Sequence, residues 1–141
     1  MAKWLDETIA VSPQISVEEV AEAQAEGIRT IINNRPDGEQ AGQPTAAEIG
    51  AAAKAAGLGY VHIPVDHSGF SMDQVEAMTA ALAGPGPVLA FCRSGTRSTY
   101  LWSLARGAAG DEPSEIAAKA ANAGYDVSGL IPMIESLRPK N

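Results

Sequence analysis

One run of the chain joins a nucleophile to groups that bind anions: Phe91-Cys92-Arg93-Ser94-Gly95-Thr96-Arg97-Ser98. Its cysteine is the single one among 141 residues. A short apolar stretch, Val88 to Phe91, delivers it, and Leu101, Leu104, Ala105 and Ala108 follow at helical spacing. A cysteine between a buried strand and a helix stands at the carboxyl edge of an α/β sheet, where such folds bind ligands. Successive loop N–H groups converge on an anion there, and the helix N-terminus adds positive potential. Gly95 lets the backbone curl tightly. Cations and helix N-termini favour the thiolate of a nearby cysteine. The expected chemistry is nucleophilic attack by Cys92. Arg97 would stabilise charge, while Arg93, Ser94, Gly95, Thr96 and Ser98 would line the anion cradle. Arg93 also fits a solvated surface residue, and Ser98 a simple helix cap. Read alone, a lone cysteine ending a strand is a small apolar core residue; the spacing Cys-x-x-Gly-x-Arg points beyond that.

The elements that must position this loop are legible around it. Thr8 to Val11 reads as a strand. Ser16 with Glu19 forms a capping box for a helix that stops at Gly27. Ile28 to Ile32 is a β-branched strand entering the turn-rich Asn33 to Gly38. Thr45 and Glu48 start a second helix, which ends at Gly57. Tyr60 to Val65 reads as a strand followed by a loop at Asp66-His67-Ser68-Gly69. Ser71 begins a third helix with Val75, Met78 and Leu82 on one face. Beyond the cysteine helix, Pro113, Ile116, Ala117 and Ala120 mark a further helix closed by Gly124, and Leu130, Ile134 and Leu137 a last one. Strands alternating with helices predict a three-layer α/β unit spanning 1–141, its mostly parallel sheet of four to five strands flanked by helices. Arg35 and His67 follow strands at the same sheet edge and are candidates for binding an anion, although Arg35 also fits a surface turn. His62 and Trp102 read as packing residues.

Composition narrows the partners. The formal charge is −7, with 45% hydrophobic and 19% charged residues, which disfavours nucleic acid and anionic membranes. No apolar run approaches the roughly 20 residues that span a bilayer. The first residues lack a signal-peptide pattern, so a cytoplasmic location is expected. One cysteine cannot form an internal disulfide or supply a metal site alone. No metal or cofactor motif is expected; Gly84-Pro85-Gly86-Pro87 cannot serve as a dinucleotide fingerprint.

The strand, cysteine loop and helix resemble those of protein tyrosine and dual-specificity phosphatases, and also those of rhodaneses. More closely, Ile31 to Glu39, Tyr60 to Val65 and Phe91 to Ser98 are similar to a bacterial family named after its β-lactamase-hydrolase-like fusion proteins, whose members are called phosphatase-like or sulfurtransferase domains. The resemblance implies a cysteine-phosphatase-like fold with Cys92 as nucleophile. Phosphatases of this kind have five residues between Cys and Arg. Here there are four, Arg93 to Thr96, a length that resembles rhodanese. The expected function is therefore sulfur transfer from thiosulfate or a small persulfide to a thiol through a Cys92 persulfide, with a sulfide-oxidising protein as a further partner. The alternative is a phosphatase, and the resemblance then makes Asp66 the acid that protonates the leaving oxygen; Asp66 also fits an ordinary turn residue before a helix. A third reading is an oxyanion or redox sensor without turnover.

Overall fold

The computed structural model describes residues 2–139. Its strands are β1 (Lys3–Asp6), β2 (Ile9–Ser12), β3 (Thr30–Asn33), β4 (Gly59–His62) and β5 (Val88–Phe91). Its helices are α1 (Val17–Ala25), α2 (Ala46–Ala55), α3 (Met72–Leu82), α4 (Thr96–Ala108), α5 (Pro113–Asn122) and α6 (Ile131–Leu137), the last preceded by a 3-10 turn at Ser128–Leu130. The five strands form one sheet in the order β1-β2-β5-β3-β4. β1 runs antiparallel to β2, and the other pairings are parallel.

Side-chain alternation divides the core into two layers. Ile9, Val11, Ile32, Val88 and Ala90 face a cluster with Val75, Met78, Leu101, Trp102, Ile116 and Ile134, under α3 to α6. Ala10, Ile31, Leu89 and Phe91 face the other side, against Val20 and Ala23 of α1 and Ile49 and Ala53 of α2. The expected three-layer α/β architecture is what forms. β5, paired on both edges and buried at all four positions, is the strand that carries the cysteine loop. Helix α4 is enclosed in turn: Leu101, Trp102, Leu104 and Ala105 are all buried. A Cβ on Gly107 would stand 2.6 Å from Ile134 Cγ2, so the glycine lets α6 approach α4.

Several bounds differ from expectation. β1 was not anticipated; its four residues carry Lys3 and Asp6 and lie on the sheet's edge, where apolar patterning is weak. The strand expected over Tyr60 to Val65 ends at His62, beyond which Ile63 N still donates to Asn33 O at 2.9 Å and Val65 N to Asn34 O at 3.0 Å, out of the regular register. The strand expected from Ile28 begins at Thr30, and Arg29 instead donates its backbone N–H to Pro87 O at 2.8 Å. Helix α4 starts at Thr96, so Ser98 lies within its first turn and does not cap it. No helix among the described residues is long and apolar enough to cross a membrane.

Candidate active site

The cysteine loop is anchored on both sides. Cys92 N donates to Ser12 O of β2 at 3.3 Å, and Asn34 N, beyond β3, donates to Phe91 O at 2.8 Å. The chain then turns at Gly95, whose φ of +90° a side chain would strain. Gly95 is also the N-cap of α4 and supplies no side-chain cap; of the first amides, Thr96 N makes a long bond to Ser94 Oγ at 3.4 Å. The Gly95 N–H points back at Cys92 Sγ, 3.1 Å away. Its carbonyl accepts from Thr99 N at 3.0 Å and from Thr99 Oγ1 at 2.8 Å. Cys92 thus stands at an uncapped helix N-terminus with one loop amide already directed at its sulfur, and the side chain is fully buried.

Arg97, in the first turn of α4, interacts electrostatically with Cys92. It is not free. Nη1 and Nη2 donate to both carboxylate oxygens of Glu39, at 2.7 and 2.8 Å, and Nη1 also donates to Val65 O. Glu39 accepts a further bond from Arg35 Nε at 2.9 Å. The hydrogen bonds from Arg97, then those from Arg35, hold the Glu39 carboxyl at about 2, against desolvation that opposes them. The same bonds raise Arg97 further above its ordinary range. This bidentate clamp fixes the plane of the guanidinium beside the thiol.

Arg35 corrects its surface reading. It is 2% exposed. Gln14 Oε1 accepts from its Nη1 at 3.0 Å and Gln40 Oε1 from its Nη2 at 3.3 Å. It orients Glu39, and Glu39 orients Arg97. Glu39 itself was not singled out in the sequence. Its bonds to Arg97 cross 58 positions, so no local spacing announces them; the signal available was an acid four residues after Arg35.

The remaining expected residues are spread around this centre. Arg93 and Ser94 are exposed. Ser94 Oγ bonds Thr96 Oγ1 at 3.0 Å. Ser98 is buried and its Oγ has no partner among the described residues. Asp66 is exposed and accepts from Ser68 Oγ and, at 2.9 Å, from Ser68 N. Those bonds lower its carboxyl below the usual aspartate range. His67 is exposed beside it. His62 ends β4, half-buried, and its Nε2 lies 2.9 Å from Arg35 O. Among the described residues no cluster of His, Cys, Asp and Glu could hold a metal ion.

Tyr125, which sequence reasoning passed over, comes to the loop from the turn after α5. Its hydroxyl donates to Ser94 O at 3.0 Å. A cavity of about 380 Å³ lies at the opposite end of the sheet, lined by Asp6, Trp102, Arg106, Asp111 and Lys119 among others. Its charges neutralise one another in the pairs Lys119–Asp6 and Arg106–Asp111.

Comparison with known proteins agrees with this geometry. Residues 2–109 match the family described as "Beta-lactamase hydrolase-like protein, phosphatase-like domain". Beta-lactamase hydrolase-like proteins of Xylella fastidiosa and Agrobacterium fabrum are 39% and 36% identical over 101 residues, covering 71% of this chain and 23% of theirs. The chain therefore spans about a quarter of the length of those relatives. A Neisseria meningitidis structure, provisionally assigned as a phosphatase, is 36% identical with a TM-score of 0.79, covering 96% of this chain and 97% of that one. The catalytic core of a PP-IP phosphatase from S. cerevisiae shares the fold at 14% identity, with a TM-score of 0.67 over 98% of this chain and 85% of that one. The family and the two structures are described as phosphatase-like or as phosphatases. The expectation of sulfur transfer gains nothing from them, and the phosphatase alternative does.

Proposed function

We propose that this chain, which belongs to the phosphatase-like domain family of the beta-lactamase hydrolase-like proteins, is a cysteine-dependent phosphatase. The observation that carries the reading is the thiol at an uncapped helix N-terminus, with Gly95 N–H 3.1 Å from Sγ and Arg97 beside it. Cys92 Sγ attacks phosphorus, and the P–O bond to the leaving group breaks with its electron pair going to that oxygen. The first amides of α4 and Arg97 take up charge on the phosphoryl oxygens. Water then cleaves the S–P bond, releases inorganic phosphate and regenerates the thiolate.

Asp66 narrows the substrate class. Its carboxyl is held ionised by Ser68, so the leaving oxygen departs with little help from an acid. The substrates that suit such a site are those whose leaving group is already a weak base: aryl phosphates and phosphoanhydrides.

Sulfur transfer is the second reading, and the loop length favours it. Four residues between Cys92 and Arg97 make a smaller ring with fewer N–H groups, better matched to a terminal sulfur than to a tetrahedral phosphoryl group. The thiolate would take the outer sulfur of thiosulfate, sulfite would leave with the S–S electron pair, and an added thiol would accept the sulfur. Sulfite too needs no strong acid to depart.

One experiment separates the two. Purified protein and Cys92→Ser are given aryl phosphates of graded leaving-group basicity and, separately, thiosulfate, with phosphate release and intact mass recorded. Cys92-dependent phosphate release that slows steeply with leaving-group basicity supports the phosphatase. A one-sulfur adduct on Cys92 without phosphate release overturns it in favour of sulfur transfer.

A further inference from the structure

The Ser94–Gly95 peptide touches two partners at once. Its carbonyl accepts from the Tyr125 hydroxyl at 3.0 Å, and its N–H donates to Cys92 Sγ at 3.1 Å. Cis peptide bonds among the described residues are confined to Gly86-Pro87, so this peptide is trans and its C=O and N–H point opposite ways. Tyr125 and the sulfur therefore hold one rigid plane from its two ends.

We propose that Tyr125 is a positioning residue for the Cys92 thiolate, acting through the orientation of the Ser94–Gly95 peptide. The inference rests on the reading of Cys92 as an activated nucleophile and adds a residue outside the family match, which ends at residue 109. The physical need for it comes from Gly95. Glycine adopts positive and negative φ with similar ease, so the residue that permits this turn also permits the peptide to flip. After a flip the carbonyl dipole would face the sulfur and repel its negative charge. The Tyr125 hydroxyl donates to Ser94 O as the peptide stands; a flip would exchange that bond for a weaker one to the phenol oxygen and would lose the Gly95 N–H bond to the sulfur, so the contact favours the orientation that aims the amide inward. A donor on the carbonyl also polarises the peptide and strengthens the N–H bond at the other end.

Packing agrees with a lock at this point. A Cβ on Gly95 would collide with the Tyr125 hydroxyl, so phenol and backbone are in direct contact. Burial, and then the charge on Cys92, raise the Tyr125 phenol above its ordinary value, which keeps it protonated and able to donate. Arg97 on α4 also interacts with Cys92; Glu39 acts on that arginine, and the arginine acts in turn on Asp66. None of these bonds Ser94 O, so replacing the phenol leaves them in place.

The test is Tyr125→Phe, which removes one oxygen and keeps the ring. The thiolate absorbance of Cys92 is titrated in wild type and variant, with Cys92→Ser as the blank and thermal unfolding as the check on folding. The expected result is a titration displaced to higher pH, with the thiolate fraction at the wild-type midpoint reduced about two- to fivefold, the size of one modest hydrogen bond. A merely structural tyrosine would lower the melting temperature and leave the titration where it was, which overturns the proposal. A wild-type thiol that titrates like a free cysteine overturns both this inference and the reading of Cys92 as activated. A displaced titration in a protein that hydrolyses no phosphate supports the positioning role and counts against the phosphatase alone.

Discussion

Four helices begin where parallel strands end, α1 after β2, α2 after β3, α3 after β4 and α4 after β5, so all four N-termini lie on one edge of the sheet. Three close themselves. Ser16 with Glu19, Thr45 with Glu48 and Ser71 with Gln74 each form a reciprocal capping box, in which side chains satisfy amides of the first turn. The fourth has a glycine at that position and no side-chain cap. Every helix N-terminus offers an anion site in principle. The contrast shows that this chain closes three of them with its own side chains and leaves the one at the cysteine without a side-chain cap. A lone uncapped helix would signify little; the thiol and a clamped arginine beside it give the difference its chemical meaning.

The comparison breaks most severely at the nucleophile. Cys92→Ser should reduce turnover by on the order of a thousandfold or more while α1 to α3 remain intact, as initial rates and circular dichroism would show. Closing the open terminus should come next. Gly95→Ala must place a side chain at φ +90° and push against Tyr125; turnover should fall at least about tenfold, with stability lower by about 1–2 kcal/mol in denaturant titration. Arg35→Ala leaves the Glu39 clamp with one arginine and an enclosed gap, and a loss of about 3 kcal/mol is expected in the same titration. An unchanged midpoint would show that Arg97 needs no such support.

Smaller effects sharpen the contrast. Ser16→Ala and Thr45→Ala should each cost about 1 kcal/mol of stability with turnover per folded molecule unchanged, because those termini serve the fold. The clamp also sets an acid limit. Glu39 is held below its ordinary value of 4.5, at about 2, so its contribution to stability is present above pH 4.5 and is lost as pH falls toward 2. Unfolding followed from neutral pH downward should show that loss in wild type and not in Glu39→Gln. The least effect belongs to Asp66→Asn: on aryl phosphates with good leaving groups the rate should change less than about threefold. A hundredfold loss would restore Asp66 as a proton donor.

What the sequence made legible follows from the range of the interactions involved. Val88 to Phe91 appears as a strand because four apolar residues end in a turn motif, and the structure gives those same bounds. The boxes at Ser16 and Thr45 span only three residues, so spacing reveals them. Arg35 was ambiguous because burial of its charge depends on Gln14, 21 positions earlier, and on Glu39. Tyr125 meets Ser94 across 31 positions and sits outside any patterned run. Cys92 was legible as the candidate nucleophile, but its surroundings arise from tertiary contacts that no short window contains.

The complete burial of Cys92 bears on how long such a protein lasts in use. A thiolate is the form most vulnerable to oxidants, and oxidation past the sulfenic stage is not reversed by ordinary thiols. This chain has no second cysteine to trap the first oxidation product. Cys92 presents no surface to solvent, so an oxidant, like a substrate, reaches the sulfur only when the surrounding loop moves aside. Working life and turnover then share one clock, and a substitution that loosens the loop would shorten the first whatever it did to the second.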